Sequence, residues 1–212
     1  MLFGSQGCLK GTKMKLWQWL LGLCWLMAGL SAHAFGLADL SQRLQQPQTV
    51  AGGFTQERYL ASLGKPLRTE GEFVLQPKRA LLWQMQKPFA QQLRVRADGV
   101  WQWTGKAWQR QSSAGGMQRQ MQLFLDLLGG NAQGLQQHFE VRLTGTEQAW
   151  QLVLTPKTAL MQQIFTRIDI AGDNVVRQII LQEKQGDKTV MQFSRIRINP
   201  ALAADTRRAL AD

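Results

Sequence analysis

The sequence predicts a mainly β, α+β domain: a meandering antiparallel sheet with helices at its start, middle and end. Three observations predict it. Short runs of alternating apolar and polar residues follow one another along most of residues 49–198. Most are joined by hairpin-length turns, among them Asp98-Gly99, Gly172-Asp173-Asn174 and Gly186-Asp187, which supply the positive-φ positions that tight hairpins require. The period becomes helical in only a few places. Strands are expected at 49–61, 66–76, 80–87, 91–97, 100–104, 107–112, 139–145, 149–155, 162–171, 174–184 and 188–198.

The first 34 residues read as an address label. Lys10, Lys13 and Lys15 precede the apolar run Leu16–Leu30, which ends in Ser-Ala-His-Ala. That is the pattern of a secretory signal peptide cut after Ala34. Met14-Lys15 alone begins a complete signal, so Met1 and Met14 are both candidate starts. The apolar run is shorter than the ~20 residues a spanning helix needs. Cys24 follows Leu23, where a lipid-anchoring signal needs a small residue. Residues 35–212 are then one domain, long enough for a sizeable core. Both cysteines, Cys8 and Cys24, leave with the leader, so the mature fold has no disulfide.

Within that domain Leu37, Leu40 and Leu44 fall at helical spacing, Asp39 sits in the first turn and Pro47 ends the run, giving a helix at 36–46. A second helix interrupts the strands: Met117, Met121, Phe124, Leu125 and Leu128 precede Gly129-Gly130 within residues 113–134. It reads as a core helix or as a lid. Asn199 as N-cap and Pro200 at the first helical position predict a C-terminal helix.

The chemistry open to this chain is narrow. It has two histidines, and His33 belongs to the leader, leaving His138 as a surface or packing residue. No nucleophile elbow, His-Glu-x-x-His or phosphate loop occurs, so no enzyme, metal site or cofactor is expected. Glu70 and Glu72 share a strand face, with Arg94 or Arg96 as expected cross-strand partners. The net charge of +11 stays strongly positive without the leader lysines. Export argues against a nucleic-acid partner, whereas anionic membrane surfaces attract basic proteins. Simple solubility explains the charge equally well.

What the chain has in quantity is large apolar strand residues, together with soft methionines at 85, 117, 121, 161 and 191. They make either a core or a cavity wall. The segment GEFVLQPKRALLWQM, residues 71–85, poses the question most sharply, since Pro-Lys-Arg breaks two apolar runs.

An N-terminal helix is followed by Phe54-Thr55-Gln56, Gly71 twelve residues before Trp83, Lys87-Pro88, and Asp98-Gly99 leading to Trp101 and Trp103. Then come the inserted helix with Phe124 and Leu127, and Leu154-Thr155-Pro156-Lys157. In this order the motifs resemble the LolA family of periplasmic outer-membrane lipoprotein carriers. The resemblance implies an incomplete antiparallel barrel of about eleven strands, its open side covered by helices over a lipid-binding cavity. It implies a cavity lining of Phe73, Leu75, Leu81, Trp83, Met85, Leu93, Val95, Trp101, Trp103, Phe124, Leu127, Leu152, Leu154 and Ile168. The helices at 36–46 and 117–128 become lids. In the family an arginine immediately before a proline helps hold the lid closed; here Gln76-Pro77 or Pro77-Lys78 takes that place, leaving Lys78 and Arg79 as mouth or latch candidates. The implied cargo is an acylated lipoprotein or another acylated lipid or glycolipid. The implied partners are an inner-membrane releasing transporter and an outer-membrane acceptor, the carrier acting as a periplasmic monomer. A lipoprotein sensor and a lipid-acting enzyme are the alternatives.

Overall fold

Period-two alternation is realised as one eleven-stranded sheet in the computed structural model, which describes residues 35–111 and 116–211, with 116–120 described by their backbone alone. The predicted leader, its cleavage point, both cysteines and the Met117 side chain lie outside the described residues. The strands are β1 (Val50–Tyr59), β2 (Leu67–Gln76), β3 (Ala80–Lys87), β4 (Gln91–Arg96), β5 (Gly99–Trp103), β6 (Trp108–Arg110), β7 (Phe139–Thr146), β8 (Ala149–Pro156), β9 (Phe165–Gly172), β10 (Val176–Glu183) and β11 (Lys188–Ile198). Their order is β6-β5-β4-β3-β2-β1-β11-β10-β9-β8-β7, with every neighbouring pair antiparallel. The first and last strands pair, joining the two halves. β6 and β7 remain as separate edges, so the sheet is an open half-barrel, as expected.

The helices are α1 (Leu37–Gln45), α2 (Gly116–Leu128), α3 (Ala132–His138), α4 (Ala159–Ile164) and α5 (Ala204–Ala211). Two boundaries correct the sequence reading. Residues 162–164 belong to α4, and β9 starts at Phe165; six residues are too few for a helical period to show. Asn199 is not an N-cap either: its φ is 51°, its side-chain oxygen accepts the Thr49 N–H at 3.0 Å and its own N–H donates to the Thr49 carbonyl at 2.8 Å. It ends the β1–β11 ladder, and α5 begins at Ala204.

The register sorts side chains onto two faces. Val50, Leu75, Leu81, Val95 and Val100 stand opposite one another across β1–β5 on the concave face. Leu143, Leu152, Ile170 and Ile179 do the same across β7–β10. All of these belong to, or pack against, one continuous core that also takes in Leu40 and Leu44 of α1 and Phe124 and Leu127 of α2. Gly71 is required here: a Cβ would lie 2.1 Å from the Gln84 carbonyl oxygen and 2.8 Å from the Phe54 ring. Its absence lets Phe54 lie flat on Trp83, ring centroids 3.8 Å apart.

The convex face is covered at β1–β3 by the C-terminal segment, with Leu210 against Ala51, Val74, Ala80 and Leu82. Arg94, fully buried, donates to the Ala209 carbonyl at 3.1 Å and lies under the rings of Trp108 and Trp101. A cation at the carbonyl end of a helix meets the favourable end of its dipole. Glu70 does not pair with Arg94 or Arg96 as expected. It is held by Arg68 and Lys87, which lower its pKa, and Arg96 pairs with Asp98.

Candidate functional site

Helix α2 lies over the concave face because its apolar stripe is complementary to that face. Met121, Phe124, Leu125, Leu127 and Leu128 are all buried. Phe124 is fully enclosed and stacks on Trp83 with centroids 6.2 Å apart. Trp83 is thereby the hub of a ring cluster completed by Phe54, Phe73 and Phe193. Of the residues predicted to line a cavity, Phe73, Leu75, Leu81, Trp83, Leu93, Val95, Phe124, Leu127, Leu152, Leu154 and Ile168 share the concave-face cluster, with Met85 packed at its margin. The helices fill this wall.

Trp101 and Trp103 are corrections. The two-residue connection Ala97-Asp98 sets Arg96 opposite Gly99 and Arg94 opposite Trp101. Trp101 therefore faces outward with Arg94, and Trp103 packs on Trp108 at 5.5 Å on that same convex side. Neither reaches the concave face.

The two mouth or latch candidates, Lys78 and Arg79, part company at one turn. Pro77 and Lys78 form the centre of a turn closed by the Arg79 N–H on the Gln76 carbonyl, with Lys78 at φ 63°. This turn meets the end of α2: a Cβ on Gly129 would sit 3.8 Å from Pro77 Cα and 3.6 Å from the Lys78 nitrogen. Lys78 lines a polar cleft beside α1 and α3, whereas Arg79 turns to the convex side and lines a cleft with Arg96, Arg207 and Leu210.

What ties the end of α2 to α1 is a carbonyl. Gly130, at φ 65°, ends α2 in a left-handed cap, and the Asn131 N–H closes back on the Asp126 carbonyl at 2.9 Å. The Gly130 carbonyl then accepts Ser41 Oγ at 2.6 Å and Gln45 Nε2 at 2.7 Å from α1. A Cβ at Gly130 would fall 2.7 Å from Leu44 Cβ, so no other residue lets the two helices approach this closely. On its other flank α1 is anchored by Arg43, which pairs with Glu147 and donates to Asn174 Oδ1 at 2.8 Å.

Space remains to one side. A cavity of about 410 Å³ opens between α2, α3, α4 and the strand ends, with Leu123, Leu135, Phe139, Met161, Ile164 and Phe165 as its apolar wall. Its polar margin is Arg58, Glu183, Gln122, Asp126 and His138. Arg58 spans Glu183 and Asp187 at 3.3 and 3.4 Å. The Ala61 N–H, followed by Gln185 and Arg58, holds Asp187 below the usual carboxylate range. Burial pushes the Asp126 carboxyl up, against the hydrogen bond it accepts from Asn131 at 3.1 Å. Sequence reasoning missed most of this site. Met161 alone was noted as an adaptable side chain, and His138 was read as surface or packing. Among the described residues no cluster of three His, Cys, Asp or Glu side chains is placed to hold a metal.

A family described as outer membrane lipoprotein carrier protein LolA-like matches residues 29–209. The outer-membrane lipoprotein carrier protein of Dechloromonas aromatica (strain RCB) is 26% identical over 185 residues, 86% of this chain and 87% of that one. Among solved structures, MucB superposes with a TM-score of 0.50 at 16% identity, over 80% of this chain and 61% of that chain. The LolA superfamily protein NE2245 of Nitrosomonas europaea gives 0.47 at 8% identity, over 84% and 99%. With the family match spanning most of its length, the chain belongs to the LolA-like family of outer membrane lipoprotein carrier proteins.

Proposed function

We propose that this protein shields the acyl chains of lipoproteins inside the half-barrel and carries them across the periplasm from the inner to the outer membrane. Residues 35–212 are the carrier domain, exported by a leader removed after Ala34. A releasing transporter and an acceptor at the two membranes are its partners. The carrying observation is the cover of the concave face: short helices close it, one carbonyl ties them to α1, and an apolar cavity of about 410 Å³ opens beside them. That volume falls in the range of small-molecule sites.

The mechanism is physical. Each buried methylene gains about 0.8 kcal/mol, so part of one acyl chain supplies several kcal/mol. Entry beyond the cavity requires Phe124 to leave Trp83, and the free energy of lifting α2 weakens apparent binding by the fraction of protein that is open. A carrier closed at rest binds weakly enough to give its cargo up.

A second reading keeps the mechanism and changes the cargo to another acylated lipid. It is favoured by the Gln76-Pro77-Lys78 turn, which has no arginine before its proline, and by the placement of Arg79 in a cleft on the convex side. Native mass spectrometry of protein purified from periplasm without detergent separates the two. Acylated lipoprotein peptides support the first and a different acyl lipid the second. An empty protein that also fails to take up a synthetic triacylated lipopeptide or a fatty acid overturns both.

A further inference from the structure

The two rims of the half-barrel differ in kind. At the rim holding the β2–β3, β4–β5, β7–β8 and β9–β10 turns, the connections carry Asp98, Glu147 and Asp173 against Lys78 and Arg79. At the opposite rim the connections 60–66, 88–90, 104–107, 157–158 and 184–187 carry Lys65, Lys106, Lys157 and Lys184, all exposed. Their one carboxylate, Asp187, is turned inward onto Arg58 and the Ala61 N–H.

The second rim also collects exposed grease. Of seven exposed large hydrophobic residues among those described, six stand there: Tyr59, Leu63, Leu67, Phe89, Trp103 and Leu160. Phe89 is 82% exposed at the tip of the β3–β4 connection. The register fixes this arrangement, since Tyr59 pairs with Lys188, Arg58 with Leu67, Glu70 with Lys87, Trp103 with Trp108 and Phe165 with Glu183, all at one end of the sheet. Isolated exposed apolar residues are ordinary. Six on one rim, in or beside four of its connections and interleaved with lysines, are not.

We propose that this rim docks on an anionic lipid bilayer. Phe89, Leu63 and Leu67 enter the interface, while Lys65, Lys106, Lys157 and Lys184 meet the headgroups. A protein partner would ask for a continuous apolar patch with a polar border. Here the apolar groups are spread around a rim and alternate with cations, which matches the headgroup layer. The cavity opens at this same rim: Leu160 belongs to both, and Arg58, Phe139, Phe165 and Glu183 line it from the rim ends of their strands. Docking rests on the rim alone; its use in passing acyl chains between bilayer and cavity rests on the carrier reading above.

The test is cosedimentation of the purified protein with vesicles of phosphatidylcholine and phosphatidylglycerol, compared with phosphatidylcholine alone. Binding is expected to the anionic vesicles and to fall with salt, because the headgroup attraction is screened over ~8 Å at physiological ionic strength. Changing the four rim lysines together to glutamine, or Phe89→Asp alone, is expected to weaken it at least tenfold. Changing Lys78 and Arg79 to glutamine on the other rim should leave it intact. These side chains are exposed, so unchanged melting temperatures exclude misfolding as the cause. Absence of binding to anionic vesicles, or loss with the Lys78 and Arg79 variant only, overturns the proposal. Binding solely to vesicles that carry native membrane proteins assigns the rim to a protein and overturns it too. Uptake of a detergent-dispersed acyl ligand, read by native mass spectrometry, keeps the two ideas apart. A Phe89→Asp protein that no longer docks but still loads supports docking as a separate step, and a protein that docks but never loads overturns the carrier reading alone.

Discussion

The concave and convex faces of this sheet both set aromatic rings against a helix, yet the two helices are held in different ways. On the convex side the C-terminal helix is fixed by a buried cation: Arg94 reaches the Ala209 carbonyl and lies under Trp108 and Trp101. On the concave side α2 rests on ring stacking and apolar contact, and the Gly130 carbonyl that follows it accepts the polar tie from α1. Non-directional contact lets a helix lift and settle again, whereas a buried, directional cation specifies one position. Aromatic content alone therefore does not distinguish a lid from a clamp; the polar groups beneath it do.

The comparison is broken most severely at Trp83. Trp83→Ala removes the ring on which Phe54 and Phe124 stack and is expected to destabilise the fold by about 3–5 kcal/mol. Trp101→Ala, at a half-buried ring on the convex side, should cost about 1–2 kcal/mol. Urea denaturation reads both, and equal losses would show that the concave rings are no special hub. Arg94→Met comes next. It keeps the apolar stem but removes the bond to α5 and the contact with two indoles, at an expected loss of about 2–3 kcal/mol. Acyl uptake by the folded variant should be unchanged. A carrier that lost uptake here would place the convex face in the transport cycle.

Much of this was legible in the sequence, and the failures have physical causes. The strands could be read because alternation recurs in eleven strands and direct connections join eight successive pairs of them, each supporting the next. The face of a strand was harder, since it depends on the register of each hairpin. Trp101 and Trp103 were misplaced although the signal existed: a two-residue connection at Ala97-Asp98 sets Arg94 opposite Trp101, carrying both indoles away from Leu93 and Val95. The cavity was mostly illegible because its walls come from α3 and α4, of seven and six residues, and from Phe139 and Phe165 at strand starts. Such short helices show no period. Arg79 could not be placed without knowing that Lys78 takes a positive φ and turns the chain.

A smaller and more selective effect is expected at the tie itself. Ser41→Ala and Gln45→Ala each remove one hydrogen bond to the Gly130 carbonyl, worth about 1 kcal/mol. If that tie holds the lid shut, the loss raises the open fraction, and apparent acyl affinity should rise about fivefold per variant while thermal stability falls. Opposite signs in the two measurements are the signature of a lid. Stability and affinity that fall together would make α1 and α2 an ordinary core pair.

The smallest expected effect sharpens the same point through pH. Asp126 lies on α2 at the cavity margin, where burial raises its pKa against the pull of Asn131, His138 and Gln122. Because folding favours its protonated form, the charged carboxylate weakens the fold at neutral pH, and that penalty disappears as pH falls through the raised pKa. Asp126→Asn should therefore be the more stable protein at neutral pH, and the difference should close on acidification. Melting temperatures of both proteins along a descending pH series test this; an asparagine variant that is less stable at neutral pH would contradict it. The consequence for carriage follows from position. Lifting α2 returns Asp126 to water, so opening relieves the penalty at neutral pH and gains nothing once the group is protonated. Wild-type uptake should weaken modestly in acid, and uptake by Asp126→Asn should change less over the same range.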